Sequence, residues 1–410
     1  MKVPCSNPVV VASESIHDYS MKKILRYSLA IVLILYVVAT FTVSPILDKQ
    51  MNLVEYKDPR ILGTKAMELY RSLNFIADLH CDALLWDRDL SQRLDYAHLD
   101  FPRMQEANMS LQAFTIVTKS PKGQNFKRNS ADAPDKITLL NIAQGRSPDK
   151  WFSLYKRAVD QATDLQRYTK KLDGKFILLR SQEDLQELIR LKQNDSTVIG
   201  GFLGVEGAHC LEGNLENLKN LYDEGVRMMA PTHFFDNELG GSAHGISGEG
   251  LTNFGRKVID GMNRMGMIID LAHASPKMID EVLDRSTRPV VVSHTGVKGT
   301  KDSPRNLSDR HIKRIAKSGG LIGIGFFKGA IKGEVRHIVE AMKYVKDLVG
   351  VEHVALGSDF DGAATTPIDV TGLPYIVQEL INEGFTEQEI RAIMGENVKR
   401  FLMEQLPKGS

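Results

Sequence analysis

Cysteine is scarce in this chain: 410 residues contain three, Cys5, Cys81 and Cys210. That excludes a disulfide framework, so the fold has to be held by a hydrophobic core. A single bridge between Cys81 and Cys210 is open on count, but both lie beside candidate ligand residues, and two buried free thiols are the expectation. Charge of one sign is lacking too. Lys and Arg total 52 against 51 Asp and Glu, so no global field draws the chain to nucleic acid or acidic lipid. Internal repeats and low-complexity tracts are absent, which excludes solenoid and array architectures.

Long hydrophobic runs are also missing, with one exception. After Lys22, Lys23 and Arg26, the stretch from Ser28 to Ile46 carries no charge and matches the ~20 residues that cross a bilayer. The basic flank assigns residues 1–27 to the cytoplasm and everything after Leu47 to the far side. No small-x-small cleavage site follows, and no polar face marks a core helix, so the expectation is an uncleaved transmembrane anchor at 28–46. Residues 47–70 read as a linker, and 71–410 as one large extracytoplasmic domain, periplasmic or extracellular.

What is present is ordinary globular material, 42% hydrophobic and 25% charged. From Arg71 onward eight short apolar runs appear, each bounded by Gly, Pro, Asp or Asn: Phe75 to Asp82, Met109 to Val117, Val198 to Glu206, Val226 to His233, Met267 to His273, Pro289 to His294, Leu321 to Phe327 and His353 to Asp359. Several are continuously hydrophobic, as strands buried on both faces of a parallel sheet must be. Helical spacing fills most gaps: Leu215 to Glu224, Asn253 to Met265, Pro276 to Arg285, Ser308 to Lys317, Glu334 to Val349 and Thr386 to Gln405, with Ser275, Ser308 and Thr386 as N-caps. The alternation predicts an α/β chain forming a (β/α)8 TIM barrel. An insertion at 118–196, after the second strand, contains a long helical pattern from Lys136 to Lys171 with Trp151, Phe152, Tyr155 and Val159 on one face.

In such a barrel the chemistry sits at the C-terminal ends of strands. Those ends carry His80 and Asp82, Glu206, His233, His273, His294 and Asp359. Singly, each has a structural explanation as a cap or a core histidine; together on one rim they predict a metal site. Imidazoles and carboxylates without thiolate suit zinc, manganese or cobalt. The ligands are too many for one tetrahedral ion, so two divalent ions sharing a carboxylate bridge are expected, with Glu206 as the natural bridge. Such a pair lowers the pKa of bound water toward ~7 and supplies hydroxide at neutral pH.

These strand ends resemble those of the membrane dipeptidase family, peptidase family M19, within the binuclear amidohydrolase barrels. The matching pieces are Asp78-Leu-His-Cys-Asp82, Gly204-Val-Glu-Gly207, Thr232-His233, Asp270-Leu-Ala-His-Ala-Ser275, Ser293-His294, Arg305-Asn306 with Asp309, and Gly357-Ser-Asp-Phe-Asp-Gly362. The resemblance implies that His80 and Asp82 hold one zinc, that His273 and His294 hold the other, and that Glu206 bridges them. It implies that His233 stabilises the tetrahedral oxyanion and that Arg305, with Asn306 beside it, binds the carboxylate of a dipeptide. Asp359 would move the proton, with Asp361 the weaker candidate. The implied activity is hydrolysis of small dipeptides, including ones with a C-terminal D-residue, by a metal-bridging hydroxide, and homodimers are implied with it. Leu79 and Cys81 stand where the family has Gly and Asn, and Trp86 falls one residue late. Strand alternation sends Leu79 and Cys81 away from the barrel interior, and Asp78 inward as a partner that orients a ligand. Two other readings stand beside this one: another binuclear barrel hydrolase, a lactonase or amidase, and a non-catalytic binding protein.

Overall fold

Apolar runs with no polar face can form strands only where both faces are covered, and the computed structural model, which describes residues 9–55 and 61–409, covers them. All eight runs contain a strand: β1 (Ala77–Cys81), β2 (Leu111–Val117), β3 (Ile199–Glu206), β4 (Val226–Ala230), β5 (Ile268–Ile269), β6 (Val291–Thr295), β7 (Leu321–Ile324) and β8 (Val354–Leu356). Every pairing among them is parallel, in the order β5-β4-β3-β2-β1-β8-β7-β6. The edge strands meet through a parallel bridge between Asp270 and Val291, where the Leu271 N–H donates to the Val291 carbonyl at 2.8 Å. The result is a curled, TIM-barrel-like sheet. A short strand, Phe176–Leu178, pairs with the start of β3.

The helices between strands fall where the spacing puts them. Asn253–Met265, Pro276–Arg285, Asp309–Lys317 and Val335–Val349 lie on the outside of the sheet, and Ser275, Ser308 and Thr386 each cap a helix by accepting from a backbone N–H three residues on. Ile312 and Ile315 are fully buried on one such helix, each stabilising by about 2 kcal/mol.

Two helical expectations are corrected. The pattern from Thr386 to Gln405 divides into Glu387–Arg391, a π-turn at Ala392–Glu396 and Asn397–Gln405. Its cause is the close approach of Gly395 to the Phe75 carbonyl, where a Cβ would lie 2.3 Å from the oxygen. The pattern from Lys136 to Lys171 divides into Lys136–Ala143, Pro148–Phe152 and Leu154–Lys171, because Gly145 turns at positive φ and Pro148 starts a new helix. Phe152 is consequently 84% exposed and shares no buried face with Trp151, Tyr155 and Val159. Arg157 pins this segment, donating to Asp135 at 2.6 Å and to the Thr118 carbonyl at 2.7 Å.

The apolar N-terminal segment forms one helix, Val9–Met51, and its Tyr19–Met51 part is long and apolar enough to cross a membrane. Residues 1–8 of the expected tail, with Cys5, and 56–60 of the expected linker lie outside the described residues. The rest of 47–70 is built into the fold. Ser44, Asp48 and Asn52 recur every four residues, so they share a helical face, and all are buried against the domain. Ser44 Oγ donates to the Trp86 carbonyl at 2.7 Å, and Arg88 grips Asp48 at 2.8 Å with one nitrogen while the other binds Asp361. Leu53–Val54 then pairs in parallel with Thr365–Thr366. Sequence alone hides this docking, since the partners of Asp48 lie far along the chain.

Arg88 thus neutralises two buried carboxylates at once. Arg88→Ala strips Asp48 of its cation and leaves Asp361 to His98 alone, and is expected to cost on the order of 3–5 kcal/mol, read as a lowered denaturation midpoint of the full chain in detergent.

Candidate metal centre

Parallel pairing points all eight strand ends one way, and the seven titratable side chains collect there. His80 is on β1 and Asp82 follows it; Glu206 ends β3; His294 is on β6; His233, His273 and Asp359 sit in the turns after β4, β5 and β8. All are buried. Glu206 is the hub. Its Oε1 lies 3.1 Å from His273 Nε2, 3.3 Å from His294 Nε2 and 3.5 Å from His80 Nε2, and its Oε2 lies 3.1 Å from His233 Nε2. His80 Nε2 is also 3.4 Å from Asp82 and 3.9 Å from Asp359. Three overlapping groups have ligand spacing: His80–Glu206–His294, Glu206–His233–His273 and His80–Asp82–Asp359.

These residues fit metal ions. His273 Nε2 and His294 Nε2 are 3.0 Å apart, and His80 Nε2 is buried with no hydrogen-bond partner. Ligand atoms held ~2.0–2.1 Å from a tetrahedral ion stand ~3.3 Å from each other, close to the spacings here. The electrostatics agree. Burial, reinforced by repulsion from Asp82, pushes the carboxyls of Glu206 and Asp359 well above their usual range. Burial also drives His233, His273 and His294 well below the ordinary imidazole value, keeping them neutral with a lone pair to give. Burial opposes charge on His80, but the carboxylates of Glu206, Asp82 and Asp359 prevail and hold it at about 10. Its proton supplies positive charge at a point where a cation would supply more.

The ligand side chains are themselves held. Ser293 Oγ lies 3.0 Å from both His80 Nδ1 and His294 Nδ1. Its two lone pairs can accept from both Nδ1–H groups, which turns both Nε2 atoms toward Glu206. Asp270 accepts from the backbone N–H groups of Ala272 and Ser293 at 2.9 Å, fixing the neighbours of His273 and His294. Thr115 donates to Asp82. His273 and Asp359 both take positive φ, 61° and 63°, a region in which Asp and His are over-represented and which clusters at functional sites. Gly362 lies against Asp359 so closely that a Cβ there would sit 2.2 Å from its Oδ1.

Other expected residues take different places. Asp78 points inward as its parity requires, but it bonds Ser358, which also reaches the His80 carbonyl at 3.1 Å, so it braces the two strand ends and touches no ligand side chain. Cys81 and Leu79 are buried outside the cluster, and Cys81 and Cys210 are free thiols. Asp361 is committed to Arg88 and His98, which outweigh burial and hold its carboxyl at about 2. Asn306 donates its amide N–H groups to the carbonyls of Lys301 at 2.8 Å and Ala330 at 2.9 Å, keeps Oδ1 unpartnered, and borders the neighbouring cavity with Arg305. Arg305 is buried, donates to the His294 carbonyl, leaves Nε unpartnered, and borders a neighbouring cavity of about 450 Å3. Burial lowers it to about 10 against the pull of Asp359 and Glu206. Sequence reasoning passed over His209 and His244, both buried in loops near the cluster, with His244 stacked 4.9 Å from Phe234. Neither ends a strand, so position gave no signal.

Above the cluster opens a cavity of about 570 Å3. Its floor includes Asp82, Glu206, His233, His273, His294 and Asp359; residues 120–140 of the insertion and Phe327 wall it. A curled parallel sheet with such a ligand rim defines a metal-dependent hydrolase scaffold. The chain belongs to the membrane dipeptidase family, peptidase family M19, whose model matches residues 64–408. It is 30% identical to dipeptidase 3 of Mus musculus over 220 residues, 50% of this chain and 45% of that protein, and equally so to dipeptidase 3 of Rattus norvegicus. The chain thus spans about half the length of these curated relatives. Among solved structures, the metallo peptidase called dipeptidase AC superposes with a TM-score of 0.66 at 25% identity, covering 82% of this chain and 99% of that one. A metallo peptidase from Rhodobacter sphaeroides, solved with a phosphinate mimic of L-Ala-D-Ala, gives 0.65 at 25% identity, covering 81% and 99%.

Because one hydroxyl orients two imidazoles, Ser293→Ala is expected to weaken metal affinity about 10–100-fold, measured by competition with a chelating dye, with little change in fold by circular dichroism.

Proposed function

We propose that this chain is a dipeptidase that uses two divalent ions, zinc in the native protein, held by His80, Asp82, Glu206, His273 and His294. The observation that carries this reading is the Glu206 hub, one carboxylate within 3.5 Å of four imidazoles at the floor of a dipeptide-sized cavity. When bound, such ions polarise a carbonyl and provide hydroxide at neutral pH. The rest falls to the chain. His233, 3.1 Å from Glu206 at the cavity floor, donates to the oxyanion as the peptide carbonyl becomes tetrahedral. Asp359, at the cavity floor with its carboxyl held above the usual range by burial, takes a proton and delivers it to the departing amine. Arg305, with Nε unspent, provides the positive field for the substrate carboxylate. The mimic bound by the Rhodobacter sphaeroides relative supports D-residue tolerance at the C-terminal position.

The apolar helix is read as an anchor that puts the domain outside the cytoplasm, because removing it would strip Asp48 from the buried Arg88. The fold is read as a complete (β/α)8 barrel, in which the insertion at 118–196 roofs the cavity.

A panel of L,L and L,D dipeptides tests the activity. Turnover is expected with added zinc and should vanish on chelation; activity indifferent to chelation would sink the mechanism. Asp359→Asn should lower kcat about 10²–10⁴-fold with metal content retained. Arg305→Ala should raise KM for dipeptides about tenfold or more, and a substrate without a carboxylate, such as a lactone, should not register the change.

A further inference from the structure

The inner end of the apolar helix reaches the cavity. Leu47 and Met51 are one helical turn apart, share a face, and line the same cavity as Glu206, His233 and Asp359. Leu47 is half-buried and Met51 stands at the rim, 37% exposed. Across from them lie Leu85, Ile137 and Leu140. We propose that the end of the apolar helix is a fixed wall of the active site, with Leu47 and Met51 forming an apolar subsite for one side chain of the dipeptide. This assignment rests on the proposed dipeptidase reading and deepens it.

Four sets of contacts hold the wall in place. Ser44 and Asp48, on the adjoining face, are buried and bonded to the domain, and Asn52 donates to Asp48 at 2.7 Å, so the helix end cannot slide without unpairing Asp48 from Arg88. The same guanidinium binds Asp361, two residues beyond Asp359, so one side chain ties the wall to the loop of the proton-transferring carboxylate. Immediately after the helix, Leu53–Val54 pairs with Thr365–Thr366, and residues Gly362 to Thr365 line the cavity as well. Gln144 closes the contact from the insertion side, donating to Ser44 Oγ at 3.1 Å and to the Leu85 carbonyl at 2.9 Å. The chemistry of the subsite follows from its lining: an aliphatic or thioether side chain is matched against Leu47, Met51, Leu85, Ile137 and Leu140, where a charged one would lose hydration.

The test uses the full chain in detergent and a dipeptide panel varied from Gly to Leu and Phe at each position, with bound metal per chain as the control for folding. Leu47→Trp fills the subsite and should lower kcat/KM for dipeptides with a large apolar residue at one position by about tenfold or more relative to Gly- and Ala-containing ones. Met51→Ala enlarges it and should shift the ratio the other way. Ile46→Trp, on the exposed side of the same helix, should leave the ratios unchanged. A wild type that hydrolyses the panel, with Leu47→Trp and Met51→Ala proteins of full metal content showing wild-type ratios, overturns the wall alone. A metal-loaded wild type that hydrolyses no dipeptide overturns the proposed function and the subsite with it.

Discussion

Everything at the strand ends is arranged around a debt of positive charge. Asp82, Glu206 and Asp359 are buried together with imidazoles that burial keeps neutral, and the nearby guanidinium, Arg305, stands to one side of the cavity. Buried carboxylates at this density are untenable unless something cationic joins them. The chain alone answers by holding a proton on His80. Divalent ions answer better, because the Nε2 atoms already stand at ligand spacing and Ser293 keeps two of them turned inward. The fold therefore tolerates an electrostatic conflict that bound metal would resolve, and affinity for metal and integrity of the rim would be two views of one energy.

The parallel sheet is what makes the conflict possible. Strands that all run one way bring residues separated by almost the whole chain to a single edge. The positions then need only small local adjustments, such as the left-handed turns at His273 and Asp359 and the close approach of Gly362. Support comes from beneath: Asp270 and Asp78 hold backbone and Ser358, so rigidity is transmitted from the sheet to the rim.

Much of this was legible in the residues. Burial on both faces leaves no freedom for polar alternation, so the eight strands announce themselves as apolar runs, and their ends expose the ligands by position alone. Ser275, Ser308 and Thr386 mark helix starts through their own hydroxyls, a local property. What stayed hidden depends on partners remote in sequence. The π-turn at Ala392–Glu396 answers to the Phe75 carbonyl, and the docking of Asp48 answers to Arg88. His209 and His244 sit in loops, where spacing carries no information about depth. Asn306, beside a guanidinium in a recognisable motif, gives its N–H groups to two carbonyls and keeps only Oδ1 unpartnered, a division that spacing does not reveal.

The helix that ends at Met51 runs as one element from its exposed apolar length into the domain, with Pro45 inside it. Six residues separate Phe41 from Leu47, about 9 Å of helix rise. Proline inside a helix removes one ladder bond and bends the axis, while the element continues on both sides of Pro45, so in a bilayer the segment would act as a bent lever and not as a leash. If the segment spans a bilayer, the orientation of the domain would follow the tilt of the helix and its bend at Pro45. Such a domain would sit close to the surface, in contrast to one on a long flexible tether, which sweeps a hemisphere.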